Sequence, residues 1–458
     1  MQNIRAEVGA LIRLALPVSL AQLSMIGMTA TDVLIAGNAS TVDLAGMNLG
    51  ANTWNMVALF FMGVGFATQP LVANCFGAQD DSGVKNQLQQ SLWLCLLMGI
   101  VCTFSVLLVA FGLGQMELEP KMLDVALNYM LVMSLCAVPF CLAPALRGTL
   151  EGMNFTPVVF VVVFSAFLIN IPLDYVLVNG LYGFPKLGGV GCAWASAILV
   201  WLMATAMGLI LYLHPKIKHR KLFSAFAKPE KNALLKTWRL GFPIGLAIFI
   251  ELSMFCGAGM LIAFFGPVEV SAHAVAITIA SLSFMLYNGL AQGVTIRASQ
   301  FLGAARPGRA VNSVKVGIGF NIAISFVFCV LFLVFNEPLV RLFTQDPEVI
   351  VLAVVLLYFA AAFQVVDCLQ VAVVYALRAY QDTVTPPKVM FVGFFIVGIP
   401  IGLWFGFYAG IPQLAGAKGL WLGMVSGLLL VGVLLLHHLR KMIKSFDLDK
   451  FEADEWVA

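Results

Sequence analysis

Charge is what this sequence has least of. Only 11% of its 458 residues are Asp, Glu, Lys or Arg, and 61% are hydrophobic, whereas a soluble domain carries about a quarter charged and about half apolar residues. So little polar surface excludes a water-covered globule, and a mean hydropathy of +0.96 leaves the bilayer as the solvent. Histidine is scarce, at five residues. The nine cysteines (Cys75, Cys95, Cys102, Cys136, Cys141, Cys192, Cys256, Cys329, Cys368) all lie in apolar stretches and form no CxxC pair, which argues against a disulfide frame or a thiolate metal site. There is no GxxxxGK[ST], so this chain is not expected to hydrolyse ATP. No clustered histidines or HExxH set suggests an enzyme, and no cofactor is expected. The first apolar stretch lacks a short core with a small-residue cleavage site and is long enough to span, so it reads as a helix and not as a removed signal.

What is present is length of apolar run. Segments near 10–36, 45–76, 91–114, 123–146, 157–179, 190–213, 240–265, 271–296, 311–335, 349–376, 388–407 and 418–439 each reach the roughly 20 residues that a tilted membrane helix needs. An all-α integral membrane protein with 12 transmembrane helices follows. With the N-terminus inside, 22 of the 26 basic residues fall on the inner side, and only Lys121, Lys186, Arg341 and Lys418 fall outside. The outer segments carry Asp43, Glu117, Glu119, Asp124, Glu269, Glu337, Asp346 and Glu348 instead. This bias places both termini in the cytoplasm. The densest basic run, Lys216 to Arg239, reads as a solvated linker near anionic lipid, not as a nucleic-acid site.

The two halves repeat. Ala15-Leu16-Pro17 answers Gly241-Phe242-Pro243, Gly63 answers Gly289 and Gly77 answers Gly303, all 226 residues apart. Glu119-Pro120 pairs with Asp346-Pro347, Leu146-Arg147 with Leu377-Arg378, and Asn170-Ile171-Pro172 with Gly398-Ile399-Pro400. Residues 1–214 form an N-lobe, 215–239 a basic linker, and 240–458 a C-lobe with a cytoplasmic tail. Six helices per half is an even number, so the repeats run parallel, related by a pseudo-two-fold along the membrane normal. Such an architecture suits a transporter with its substrate path between two lobes. Pro17, Pro172 and Pro243 are expected to kink their helices.

Against the apolar background, acids inside spans stand out, because each costs about 2.5–3.5 kcal/mol to insert. Asp32 and Asp174 reach one depth in the first half, with Asn170 one turn before Asp174 on the same face. Glu251 and Asp367 reach similar depth in the second half. Both pairs are candidate cation or proton sites, with bound Na⁺ possible at Glu251 and Asp367. The alternative for Asp174 is a hydrated position at the outer helix end. His273, His437 and His438 are read as interface residues.

These residues resemble the multidrug and toxic compound extrusion (MATE) family, close to its NorM-type bacterial members. The resemblance covers essentially the whole chain. It is carried by LALPVSLAQ and DVLIAG, TQPLVANCFGA, LINIPLDYV, KLGGVGCAWAS, FIELSMF, IRASQFLGA, LFTQDPEVI and VVDCLQVAVVYALRAYQDTVTPP. It implies a monomeric antiporter of the bacterial inner membrane. Such a protein exports cationic, lipophilic drugs and dyes in exchange for inward Na⁺ or H⁺, and its partners are those substrates and membrane lipids. The matching family acids fall on Asp32, Glu251 and Asp367, which would also meet substrate. NorM-type members usually read asparagine where this chain has Asp174, whereas DinF-type and archaeal relatives carry the LNIxLD pattern. This sequence thus holds both kinds of site. The competing expectation is a lipid-linked saccharide flippase, which would need a cationic cavity, and no Arg or Lys lies mid-span.

Overall fold

The computed structural model describes residues 2–445, and among them every regular element is helical. The tail expected after residue 445 lies outside the described residues. The first half contains α1 (Gln2–Ala39), α2 in two parts (Thr41–Gly65 and Thr68–Gly77), α3 (Asp81–Leu113), α4 in two parts (Pro120–Ser134 and Ala137–Gly152), α5 (Thr156–Asn179) and α6 (Gly189–Leu213). The second contains α7 (Lys231–Ile262), α8 (Pro267–Gly303), α9 (Pro307–Val334), α10 (Pro347–Ala379), α11 (residues 385–408) and α12 (Ala417–Ser445). Among the described residues, eleven helices are long and apolar enough to cross a membrane, and α4 makes twelve if its two parts, bent by 50°, are one span. Pro139 explains where α4 bends: it has no N–H to give the Leu135 carbonyl, so the helical ladder opens there. Pro17, Pro172 and Pro243 lie inside helices that continue past them.

Helix ends follow local chemistry. Asp80 caps α3 by accepting from the Gly83 N–H (2.8 Å). The Ser82 hydroxyl and that N–H hold its carboxyl below the usual carboxylate range. Helices also run further than their apolar cores. Lys231–Arg239, expected in a linker, is the first part of α7, because a helix leaving the bilayer keeps its backbone bonds with polar side chains around it.

The repeat is written into the backbone. Gln79 and Ala305, 226 residues apart, have φ of 56° and 57°, and Asn154 and Gln381, 227 apart, have 68° and 62°. This register corrects one pairing: Leu377-Arg378 corresponds to Leu150-Glu151, not to Leu146-Arg147. The equivalent position is an acid in one half and a base in the other. Glu151 accepts from Arg147 Nε (2.7 Å) and Gln69 Nε2 (2.5 Å), while Arg378 lies over the Tyr375 ring, 4.3 Å from its centroid. The starts of α6 and α12 repeat too. Gly188 and Gly416 both take positive φ, 56° and 74°, and a Cβ there would meet the carboxylates of Asp43 and Glu269 respectively. Glu269 Oε2 accepts from the Ala417 N–H (2.9 Å), so a carboxylate from α8 serves as the N-cap of α12.

Compactness divides the chain into Leu20–Ile248 and a second unit made of Met1–Ser19 with Phe249–Ala458. These borders differ from a cut at the linker, because α1 and α7 each change unit partway along. The first part of α1 belongs with the second unit through two contacts. Glu7 holds Arg297 in a two-pronged pair, and Ser19 Oγ donates to the Leu286 carbonyl (3.0 Å). The backbone crossings are equivalent in the two units. A Cβ on Gly289 would strike Ser19 within its unit, and one on Gly63 would strike Gly245 within the other. Without side chains at those points, the helices approach to backbone contact.

The same device joins α11 to α12. A Cβ on Gly419, Gly423 or Gly427 would come within 2.3, 2.4 and 2.7 Å of the Gly406, Gly398 and Gly393 backbone. Where it faces these glycines, α11 widens into π-helical turns at Val392–Gly398 and Trp404–Tyr408. Gly423→Ala should therefore destabilise the folded protein by about 1–3 kcal/mol. Gly208→Ala, which meets nothing within 4 Å, should be neutral or slightly stabilising. Thermal unfolding in detergent checks this, and equal midpoints for the two variants would refute the close packing.

Candidate functional site: two unlike carboxylate centres

In the first unit, Asp32 on α1 and Asn170 and Asp174 on α5 meet. Asn170 Nδ2 donates to Asp32 Oδ1 (3.1 Å) and to Asp174 Oδ2 (2.7 Å). The sequence spacing explains the second bond: residues four apart on a helix share a face. One amide therefore bridges the two carboxyl groups. Asn170 and Asp174 are both fully buried, so Asp174 is not a hydrated residue at a helix end. Asp32 is half-buried and lies seven residues before the end of α1, deeper than the apolar run suggests. Two side chains from α6 complete the centre. Ser196 Oγ donates to Asp32 Oδ2 (3.4 Å), and the Cys192 thiol to the Asp32 carbonyl (3.7 Å). Sequence reasoning missed both, although their spacing of four places them on one helix face.

Asp174 Oδ1 and Asn170 Oδ1 are buried and face no donor. Buried acceptors without donors are rare, since each costs about 1–3 kcal/mol. Two carboxyl groups around one amide present more acceptor oxygens than donors, an arrangement complementary to a proton or a small cation. No lysine or arginine hydrogen-bonds either acid among the described residues.

In the second unit, the centre joins α7, α8 and α10. The Tyr287 hydroxyl donates to Asp367 Oδ2, and Gln370 Nε2 donates to Glu251 Oε1 (3.4 Å). Asp367 is buried and Glu251 half-buried. Asp367 Oδ1, Gln370 Oε1 and Gln364 Oε1 are buried without donors, and so is Asn321 Oδ1 on α9. Tyr287 and Gln370 were not singled out from the sequence. Gln370 was findable, one turn after Asp367; Tyr287 comes from a different helix and gives no local signal.

The repeat does not relate these centres. In the register fixed by the backbone, Asp32 corresponds to Ala258, Asp174 to Gly402, and Asp367 to Phe140. Each half has therefore placed its acids on different helices. The histidines lie apart from both centres: Trp421 Nε1 donates to His273 Nδ1 (3.2 Å), and His438 pairs with Asp382 (2.7 Å).

Comparison with known proteins bears on family and fold. The family model MatE matches twice, at residues 17–176 and 243–404, once per repeat. Multidrug resistance protein NorM of Aliivibrio fischeri is 33% identical over 435 residues, 95% of each chain. Its namesake from Vibrio cholerae is 32% identical over 448 residues, 98% of each. Among solved structures, the eukaryotic MATE transporter AtDTX14 superposes with a TM-score of 0.85 at 17% identity, over 95% of this chain and 96% of that one; this likeness is one of fold.

The Tyr287–Asp367 bond can be isolated by a double-mutant cycle. Tyr287→Phe leaves both Asp367 oxygens without a donor and should cost about 1–3 kcal/mol. Adding Asp367→Leu, which removes the acceptor as well, should recover most of that loss. A Tyr287→Phe protein as stable as wild type would mean that Asp367 does not depend on this hydroxyl.

Proposed function

Because the chain belongs to the MatE family, we propose that it is a multidrug efflux antiporter of the bacterial inner membrane. It exports cationic, lipophilic drugs and dyes in exchange for inward Na⁺ or H⁺, by alternating access. The observation that carries this reading is the pair of carboxylate centres, each with buried acceptor oxygens left over and, among the described residues, no lysine or arginine hydrogen-bonded to its acids. The printed names of the NorM relatives support the drug-export part. The excess of basic residues on one side of the spans supports an orientation with both termini in the cytoplasm. The protein works as a monomer, without a cofactor.

The physical cycle is one of competition. A cation or proton entering from outside neutralises carboxylates that would otherwise attract a cationic drug, so ion loading weakens drug binding. Drug and ion then favour different conformations, and each can move the equilibrium only by its differential affinity for the two. Asp32, Glu251 and Asp367 serve both ligands, while Asn170 and Asp174 serve the coupling ion. A saccharide flippase would require cations to meet pyrophosphate, and both centres are acidic.

Everted vesicles loaded by dye uptake test this, with a Na⁺ or a H⁺ gradient imposed alone. Wild type should move dye under at least one of them. Glu251→Gln and Asp367→Asn should each abolish gradient-driven transport while the protein remains folded, since each helix satisfies its own backbone. Asp174→Asn should keep partial transport, with its pH profile moved to lower pH, because the like charge beside Asp32 has been removed. Wild-type rates in both second-unit variants, with an unshifted Asp174→Asn profile, would contradict the proposal.

A further inference from the structure

The connection between α6 and α7 is docked, contrary to the expectation of a solvated linker. Gln89 and Gln90, both buried on α3, grip its backbone. Gln89 Nε2 donates to the Leu222 carbonyl and its Oε1 accepts from the Ala227 N–H, both at 2.8 Å. Gln90 does the same with the Lys228 carbonyl (2.9 Å) and the Glu230 N–H (2.8 Å). Trp93 Nε1 adds a bond to the Ala227 carbonyl (3.0 Å). Each amide supplies the donor and acceptor that a strand neighbour would supply, so the backbone is satisfied without a sheet. Ile217 and Leu222 are buried in the hydrophobic core of this unit, anchoring the segment from its other side. Lys221 has φ of 48°, a left-handed conformation that a non-glycine residue keeps only when its surroundings hold it.

Docking shapes a cavity of about 620 Å³ at the foot of α6. Leu211, Tyr212 and Phe223 make an apolar wall, and Lys218, His219 and Lys221 make the polar rim. No acid lines it, and Glu230 is the single acid between residues 214 and 239. Two other cations near the segment already have partners. Arg220 pairs with Asp81 and lies over the Phe76 ring at 5.1 Å, and Lys85 Nζ donates to Ser224 Oγ (3.2 Å). Lys218 and Lys221 are exposed and carry no ion pair among the described residues. The apolar wall continues onto the exposed face of α6 through Tyr212 and Leu209. In a membrane that face meets acyl chains, with Tyr212 at headgroup level.

We propose that this cavity binds the headgroup of an anionic phospholipid, with its phosphate between Lys218, His219 and Lys221 and an acyl chain along α6. A free anion would gain nothing from the apolar wall or from its continuation onto α6. A zwitterionic lipid would bring its own cation into the basic rim. A basic residue near an anionic lipid surface contributes about fivefold in affinity, and here two lysines are held in place by the clamp. This inference is independent of the drug-export reading.

The full-length protein, purified in neutral detergent, is titrated with phosphatidylglycerol, phosphatidylcholine or inorganic phosphate while its thermal unfolding midpoint is followed. Phosphatidylglycerol should raise the midpoint saturably, as a ligand of the folded state does. Phosphatidylcholine and phosphate should not. The double variant Lys218→Gln/Lys221→Gln should bind phosphatidylglycerol about tenfold or more weakly. Lys216→Gln/Lys228→Gln removes the same charge outside the cavity and should keep wild-type affinity. All four side chains are exposed, so folding is not at stake. Equal affinities in the two double variants would overturn the proposal, as would a response to phosphatidylcholine or inorganic phosphate equal to that of phosphatidylglycerol.

Discussion

A carboxylate placed inside a bilayer must be met by a proton, a hydrogen-bond donor or a cation, and this protein supplies too few donors for the acids it buries. In hydrocarbon an uncompensated charge is so costly that it neutralises or binds an ion. Asn170 gives one amide to two carboxyl groups, and Tyr287 gives one hydroxyl to Asp367. The remaining oxygens, on Asp174, Asp367 and their neighbouring amides, have no protein donor. The helices around them are arranged so that this shortage persists. Glycine crossings bring backbones together without inserting polar groups, and the strong cations are spent elsewhere. Arg147 is held by Glu151, Arg297 by Glu7, and Arg220 by Asp81.

Duplication supplied two similar scaffolds, and each was equipped differently. The positive-φ turns, the carboxylates facing Gly188 and Gly416, and the glycine contacts at Gly63 and Gly289 recur in both halves because they serve packing. The acids at the two centres do not recur. One half uses α1 and α5, and the other uses α7 and α10. Two centres with different donor sets, an amide and a serine hydroxyl in one and a phenol and an amide in the other, need not prefer the same ion or load at the same pH.

Much of this was legible in the sequence. The spans could be read because lipid leaves no other home for twenty apolar residues. The four acids stood out against a background with so little charge, and Asn170 and Asp174 were joined by helical spacing alone. What could not be read comes from tertiary contact. Ser196 and Tyr287 reach their acids from other helices, and neither has a local signature. Gln89 and Gln90 look like ordinary polar residues near a helix start, yet they order the connection that composition presented as solvated. The Leu146-Arg147 pairing went astray because two residues carry little register information, whereas a left-handed turn marks one position. Pro139 and Pro17 look alike in composition, yet the helix is interrupted before Pro139, at Leu135–Cys136, and continues through Pro17.

In the proposed cycle, ion movement and dye movement are obligatorily linked through these carboxylates. Linkage is reciprocal, so a dye gradient must be able to drive the ion. Protein reconstituted in liposomes, with dye on one side and no ion gradient, provides the test, followed by lumenal pH and by sodium flux. Wild type should move H⁺ or Na⁺ uphill, against the direction of dye flow, and Asp367→Asn should not. Dye flow that moves neither ion in wild type would contradict the account.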